Sequence, residues 1–462
     1  MTSVNACKQC APLGACVAFK GIEGALPMLH GSQGCATYIR RYLISHFREP
    51  VDVASSSLGE EATIFGGGRN FSVGIDNIIS QYRPKVIAIA STCLSETIGE
   101  DVQRLIGEYR AAHRGEVGLP EMLFASTPSY QGTHCEGFHE AVCAAVKALA
   151  NGRGGKAAGR HINLFCSFVS PEDIRHLKEI LADWGVSAVV FPDYSDTLDG
   201  GSWGAYRRIP EGGTPLEAIR SCACASASVE LGYILNAGGR SGRVRRNVAV
   251  QSAGEYLQGA FGVACRRTGL PVGVGETDKL LRLLAQLSGK PVPEKYRRQR
   301  SRLLDLYADG HKYVSMKKAV IYGEEDLAVA LVAFAVEVGI KPVLCATGGE
   351  SGKLQETLRE TLGETYPEEM AVGQGMTFEQ MEATLQAAGV RPDLLIGNSK
   401  GYYIARRLDV PIVRVGFPIH DRIGAQRCRL LGYEGTTILF EQAVNALLDD
   451  RQRKSPVGYK YM

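Results

Sequence analysis

Three cysteines stand where a thiol could do chemistry. Cys10 opens CAPLGA, Cys35 closes HGSQGC and Cys93 lies in STCLSE. Each has small or polar neighbours, which leaves room for a metal ligand or for a small packed residue. In iron–sulfur sites, backbone amides approach the sulfurs and donate hydrogen bonds that set the potential. Gly14 and Gly34 are expected to permit that approach. The competing reading is that a free cysteine is a small apolar residue and simply packs. A zinc site is a further alternative, since Cys7 and Cys10 form a CxxC. No second well-spaced CxxC or HxxxH follows it.

The chain has thirteen cysteines, an odd number that argues against a disulfide framework. None of the candidates belongs to a dense CxxCxxC run. A shared cluster therefore requires the fold to gather them.

The elements that could do so are legible as α/β blocks. PKVIAIASTC (84–93) and EMLFASTPSY (121–130) are apolar runs of strand length, and Cys93 and the TPS of 127–129 fall at their ends. HINLFCSF (161–168), a helix over 171–185 and VSAVVFPDYS form a second block. KKAVIYG (317–323), a helix from Glu325 to about Val338, KPVLCATGG, DLLIGNS and PIVRVGF form a third. Continuous apolar strands alternating with helices predict parallel sheets covered on both faces. The fold class is α/β, with three Rossmann-like domains. The expected division is 1–155, 156–275, a helical connector over 276–316, and 317–462. The glycine-rich NGRGGKAAGR (151–160) reads as a linker. In such sheets, ligands gather at the carboxyl ends of strands.

Composition excludes several function classes. A net charge of +3 gives no footprint for nucleic acid. The apolar stretch 327–340 carries Glu337 and is too short to span a bilayer. The N-terminal residues do not read as a signal peptide, so cytoplasmic location and no membrane partner are expected. TGGESGKL (347–354) misses the phosphate-loop pattern at Thr347 and Leu354, and GVGETD (273–278) lacks a third glycine. ATP hydrolysis by this chain is not expected.

Several segments together resemble the β-type subunit of the nitrogenase component 1 family. They are CAPLGA, LPMLHGSQGCATYIRRYLISHFREP, SSSLGEEATIFGGGRNF, STCLSETIGEDV and TPSYQGTHCEGF. Weaker similarity continues through TDKLLRLLAQLSGKPVPEKYRRQRSRLLD, IGNSKGYYIARRL and VRVGFPIHDR. The resemblance implies an α2β2 heterotetramer with an α-type subunit, supplied with electrons by an ATP-dependent iron protein. It implies that Cys10, Cys35 and Cys93 hold half of an [8Fe-7S] P-cluster, the partner providing three more cysteines. Ser129 matches a serine that ligates one iron on oxidation. Phe65 matches an aromatic at the iron-protein docking surface, against the alternative of an ordinary core phenylalanine. Glu49 and the backbone of Arg48 resemble part of a mononuclear metal site between two β copies, completed by Asp305 and Asp309 of the other copy. The bland reading of those aspartates is a solvated pair. Cys7, Cys16 and Cys135 have no counterpart and are taken as structural. His30, Ser32 and Ser91 are expected to donate hydrogen bonds around the thiols.

The iron–sulfur cofactor that reduces substrate would belong to the α-type partner, so no catalytic residue is expected in this chain. Within the family, scaffold β-type chains commonly lose a cluster cysteine, and protochlorophyllide-type chains use an aspartate ligand. Neither change is present. After the DR of VRVGFPIHDR comes IGAQRC, where dinitrogen-reducing chains usually carry histidines. The chain also starts close to Cys10, without the N-terminal arm of many β subunits. This combination points to a nitrogenase-like reductase, with methylthio-alkane reductase, which cleaves carbon–sulfur bonds of small thioethers, as the specific expectation. A dinitrogen-reducing β subunit and a cofactor-assembly scaffold are the alternatives. A non-catalytic α/β binding protein that only kept the fold is the reading from another class.

Overall fold

The computed structural model describes residues 8–151, 161–235 and 251–458. Cys7 and most of the expected 151–160 linker lie outside the described residues. The chain begins with α1 (Ala11–Lys20), β1 (Ala25–His30), α2 (Gln33–Phe47), β2 (Ala54–Ser55), α3 (Glu60–Phe65) and α4 (Gly68–Tyr82). There follow β3 (Val86–Ser91), α5 (Cys93–Thr97), α6 (Val102–Ala112), β4 (Glu121–Ala125) and α7 (His134–Leu149). The four strands form one sheet in the order β2-β1-β3-β4, with every pairing parallel.

A second parallel sheet is built from β5 (Ile162–Phe165), α8 (Pro171–Asp183), β6 (Ala188–Phe191), α9 (Leu216–Ser221), β7 (Ala227–Leu231), α10 (Ala253–Phe261) and β8 (Ala264–Thr268). Its order is β6-β5-β7-β8. Two long helices, α11 (Gly273–Ser288) and α12 (Glu294–Val314), lead into the third. That sheet contains β9 (Lys318–Gly323), α13 (Glu325–Glu337), β10 (Lys341–Thr347), α14 (Leu354–Leu362), β11 (Ala371–Gly373) and α15 (Phe378–Ala387). It is completed by β12 (Leu394–Gly397), α16 (Tyr402–Leu408), β13 (Ile412–Arg414) and α17 (Gly432–Lys454). Its order is β11-β10-β9-β12-β13, again parallel.

The apolar runs form these strands because their side chains are covered on both faces. All six residues of β3 are buried. Helix α13 is apolar nearly all round because it is enclosed, packing on β9, β10, α11 and α14. Among the described residues no helix is long and apolar enough to cross a membrane. The three sheets meet at an aromatic junction. His134 of α7 lies 5.1 Å from Phe168, which follows β5, and 5.7 Å from Phe417, which follows β13. His134 Nε2 and Glu324 Oε1 are 3.1 Å apart there, both side chains buried.

The two nucleotide-like loops are filled by the protein's own carboxylates. Glu337 accepts from the amides of Val274 and Gly275 at 2.7 and 2.8 Å. Glu325 accepts from the amide of Ser351 at 3.2 Å. An anion at either loop would have to displace a glutamate, the exposed Glu337 at the first and the buried Glu325 at the second.

Gly14 serves a different purpose from the one expected. A Cβ there would lie 1.7 Å from the His134 carbonyl oxygen. At Gly137 it would lie 1.9 Å from the Ala11 carbonyl oxygen. These two glycines let α1 and α7 touch backbone to backbone, which fixes Cys10 at the head of α1. Gly137→Ala should therefore force the helices apart and cost about 1–3 kcal/mol. A fall in the urea midpoint with an unchanged slope would show it, and an unchanged midpoint would refute the contact.

Candidate metal-cluster site

Cys35 and Cys93 are brought together by the register of β1 and β3. His30, the last residue of β1, pairs with Ser91, the last residue of β3. Immediately beyond, a Cβ at Gly31 would lie 2.0 Å from Thr92 Oγ1, so the two exits run in contact. The chain from β1 then turns into α2. Helix α2 starts at Gln33, so Cys35 lies inside its first turn. The chain from β3 turns into α5, which opens on Cys93. Strand β4 lies on the other side of β3 and delivers Ser129 to the same edge. Cys10 reaches it from the head of α1, where it bridges to Thr133 in antiparallel fashion.

The contacts among these residues are direct. The Ser129 amide donates to Cys93 Sγ at 3.2 Å. The Ala11 amide donates to Ser129 Oγ at 3.2 Å. Ser32 Oγ lies 3.6 Å from Cys35 Sγ. Burial pushes the Cys10 thiol up, and a hydrogen bond from Ser129 pulls it back. Negative charge on Cys93 and Cys35 also raises it, and the Lys400 ammonium lowers it. Cys10 thus shares one electrostatic environment with the other two thiols. Cys93 is exposed, and Cys10 and Cys35 are half-buried.

This donor set fits a multi-iron group held from one side. Three thiolates and a hydroxyl are soft and intermediate ligands, an amide already points at one sulfur, and the array faces outward. A closed structural zinc site would need a fourth ligand of this chain. Among the described residues no three or more His, Cys, Asp or Glu side chains close on a single ion. The remaining thiols differ in kind. Burial pushes Cys16, Cys222 and Cys345 up to about 12. Burial also raises Cys135, with the charges of Glu324 and Glu136 adding to it. All twelve described cysteines are free.

Of the three expected donors around the thiols, the structure places only Ser32 beside one. His30 points the other way. Its Nε2 lies 3.3 Å from Glu100 Oε2, and burial holds its imidazole below the usual range against the pull of Glu100. Glu100 Oε1 in turn accepts from the Gly67 amide at 2.7 Å. His30 therefore braces the turn after α3. Ser91 bonds to Glu96 and to the Thr127 amide, not to a thiol.

That turn presents Phe65. The ring is 83% exposed, which removes the core-phenylalanine alternative. It ends α3, with Gly66 at φ +93°, and overlooks an open groove of about 920 Å³ lined by Ser57, Glu61, Arg69, Glu100 and Arg104.

The other expected metal residues stand apart in a single chain. Arg48 ends α2 in the left-handed region, and its guanidinium donates to the His420 carbonyl at 3.0 Å. Glu49 is half-buried. Burial and the charge of Asp199 raise its carboxyl, while Arg427 and the Gly200 amide oppose them. Asp305 and Asp309 are exposed on one face of α12.

Comparisons with known proteins show the family of the chain. The family model for nitrogenase component 1 type oxidoreductases matches residues 10–448. The nitrogenase molybdenum-iron protein beta chain of Clostridium pasteurianum is 35% identical over 454 residues, covering 98% of this chain and 94% of the relative. That of Methanococcus maripaludis is 31% identical, covering 96% and 94%. A solved chain of nitrogenase Cp1 at pH 6.5 superposes with a TM-score of 0.92 at 34% identity, covering 100% of this chain and 97% of that one. The chain belongs to the nitrogenase component 1 type oxidoreductases. Within them it is a nitrogenase-type beta subunit, one chain of an oxidoreductase complex.

Thiol reactivity should separate the two classes of cysteine. In the iron-free protein at pH 8, Cys93 should be alkylated first. Cys16, Cys222 and Cys345 should resist, being protonated and inaccessible. Peptide mapping by mass spectrometry measures this, and early labelling of Cys16 would contradict the assignment.

Proposed function

We propose that this chain is an electron-relay subunit, holding its half of an [8Fe-7S] P-cluster through Cys10, Cys35 and Cys93, with Ser129 as a fourth ligand on oxidation. The observation that carries this reading is the gathering of three thiols and Ser129 at one outward-facing sheet edge. An α-type subunit supplies the remaining thiolates in an α2β2 complex. When bound, such a cluster supplies one-electron storage between an ATP-driven iron protein and an iron–sulfur reduction site in the α-type chain. The protein's own part is to fix the sulfurs. The Ser129 amide holds Cys93, and Ser32 lies against Cys35.

Phe65 is the docking contact for the iron protein in this reading, its exposure being that of a residue awaiting a partner. The backbone of Arg48 with Glu49, and Asp305 with Asp309 of the second β copy, would hold a mononuclear hard cation. Spacing i, i+4 puts both aspartates on one face of α12. The domains we propose run 1–155, 156–275 and 317–462, with 276–316 as connector. A cytoplasmic location suits an oxygen-sensitive cluster and free thiols.

Our specific reading is a methylthio-alkane reductase. It rests on the complete cysteine set combined with IGAQRC after Asp421-Arg422, a turn in which Ala425 and Gln426 are buried. A dinitrogen-reducing subunit is the second reading, favoured by the molybdenum-iron protein relatives. The complex, with iron protein, ATP and reductant, is offered dinitrogen and a small methylthio compound side by side. Hydrocarbon released from the thioether with little ammonia supports the first reading, and ammonia as main product supports the second.

Two substitutions test the relay itself. Cys93→Ala should strip or fragment the cluster and abolish electron transfer, while Cys16→Ala should leave both intact. Iron content and reduced-state EPR read the difference, and equal loss in both variants would overturn the ligand assignment. Phe65→Ala should keep its iron but lose turnover at low iron-protein concentration. Unchanged turnover there would remove Phe65 from the docking surface.

A further inference from the structure

Glu96 lies three residues after Cys93, and nothing so far gives it a role. One of its oxygens, Oε1, accepts hydrogen bonds from Ser91 Oγ and from Ser126 Oγ, both at 2.5 Å. Ser91 is the last residue of β3, and Ser126 is the first after β4. The backbone ladder between these strands ends at Ala90 and Ala125. Beyond that pair, side chains continue the pairing. The Thr127 amide donates to Ser91 Oγ at 2.9 Å, and Thr127 Oγ1 donates to the Ser91 carbonyl at 2.8 Å. Two residues further on, the Ser129 amide reaches Cys93 Sγ.

We propose that Glu96 is a positioning residue that clamps the ends of β3 and β4 together so that the Ser129 amide stays on the Cys93 sulfur. This rests on the ligand reading above for its redox consequence, though the clamp itself does not. Charge-assisted O–H···O⁻ bonds are about twice as strong as neutral ones, so one carboxylate can hold both hydroxyls. An N–H donor on a ligating sulfur stabilises the reduced, more negative state and raises the potential. Losing the clamp frees the amide and lowers the potential. Glu96 acts on the relay through Ser91 and Ser126, and is not itself a ligand.

The test uses the anaerobic complex with two readouts, hydrogen exchange over residues 126–131 and the midpoint potential of the cluster. Glu96→Asp keeps the charge but shortens the reach. Glu96→Gln keeps the reach and an acceptor oxygen. In Glu96→Asp, exchange should quicken about tenfold, the factor for one lost hydrogen bond, and the potential should fall with iron content unchanged. Glu96→Gln, which keeps the reach but loses the charge, should move both in the same direction by less. Ser126→Ala, which removes one donor only, should move both in the same direction by less, and decides the matter if Glu96→Asp does not assemble. Unchanged exchange in Glu96→Asp or Ser126→Ala overturns the clamp. Faster exchange with an unmoved potential overturns its hold on the sulfur. A Glu96→Gln variant indistinguishable from wild type on both would overturn the part given to the carboxylate's charge. A wild-type complex without iron at Cys93 would defeat the ligand reading, while the exchange rates would still decide the clamp.

Discussion

The register of three neighbouring parallel strands is the constraint on which this site depends. Strands β1, β3 and β4 end side by side, with His30 opposite Ser91 and Ala90 opposite Ala125. Cys35, Cys93 and Ser129 follow those ends by only a few residues, so the ladder sets their separation. A one-residue slip would turn every side chain of a strand to the other face and dissolve the core on both sides. The position of the thiols is therefore secured by apolar packing that no ligand needs to supply. Cys10 is secured by a second contact of the same kind, the backbone-to-backbone crossing of α1 and α7 at Gly14 and Gly137.

The third sheet completes the surroundings. Helix α2 is tied to the segment after β13. His46 Nδ1 accepts from the Ile419 amide at 2.9 Å, and burial drives that imidazole down to about 3, so it stays a neutral acceptor. Ser45 Oγ lies 2.6 Å from His420 Nδ1. Lys400, after β12, sits 5.5 Å from the centre of the Tyr42 ring, and its charge reaches Cys10. Two sheets thus converge on one edge of the chain. Burial does the sorting among thiols. It protonates the interior cysteines, and it leaves Cys93 in the open at the end of a strand.

Much of this was legible in the sequence because covered parallel strands are continuous apolar runs. VIAIAS, KAVIYG and LLIG need no periodicity to stand out, and a strand end next to Cys93 follows directly. Strand β1 was not legible in ALPMLH. Pro27 reads as a strand breaker, yet the β2 ladder covers only Met28 and Leu29 and so asks no donor of the proline. His30 beside a thiol motif suggested a thiol partner. Its burial against Glu100 depends on a pairing 70 residues away. Gly14 looked like a route for amides toward sulfide, but the helix crossing that requires it is a tertiary event. Glu96 gave no signal, since its two partners come from different strands. The resemblance put Phe65 at a docking surface, while the projecting turn at the end of α3 that exposes it could not be read from the residues.

In the proposed reading, this chain contributes one face of an iron–sulfur cluster completed by another chain. An anomalous-scattering map at the iron edge, from anaerobically purified complex, tests it most directly. Iron density should span Cys10, Cys35 and Cys93, with thiolates of the α-type subunit on its far side. Iron bound by another set of residues, or an edge free of iron in an otherwise intact complex, would contradict it.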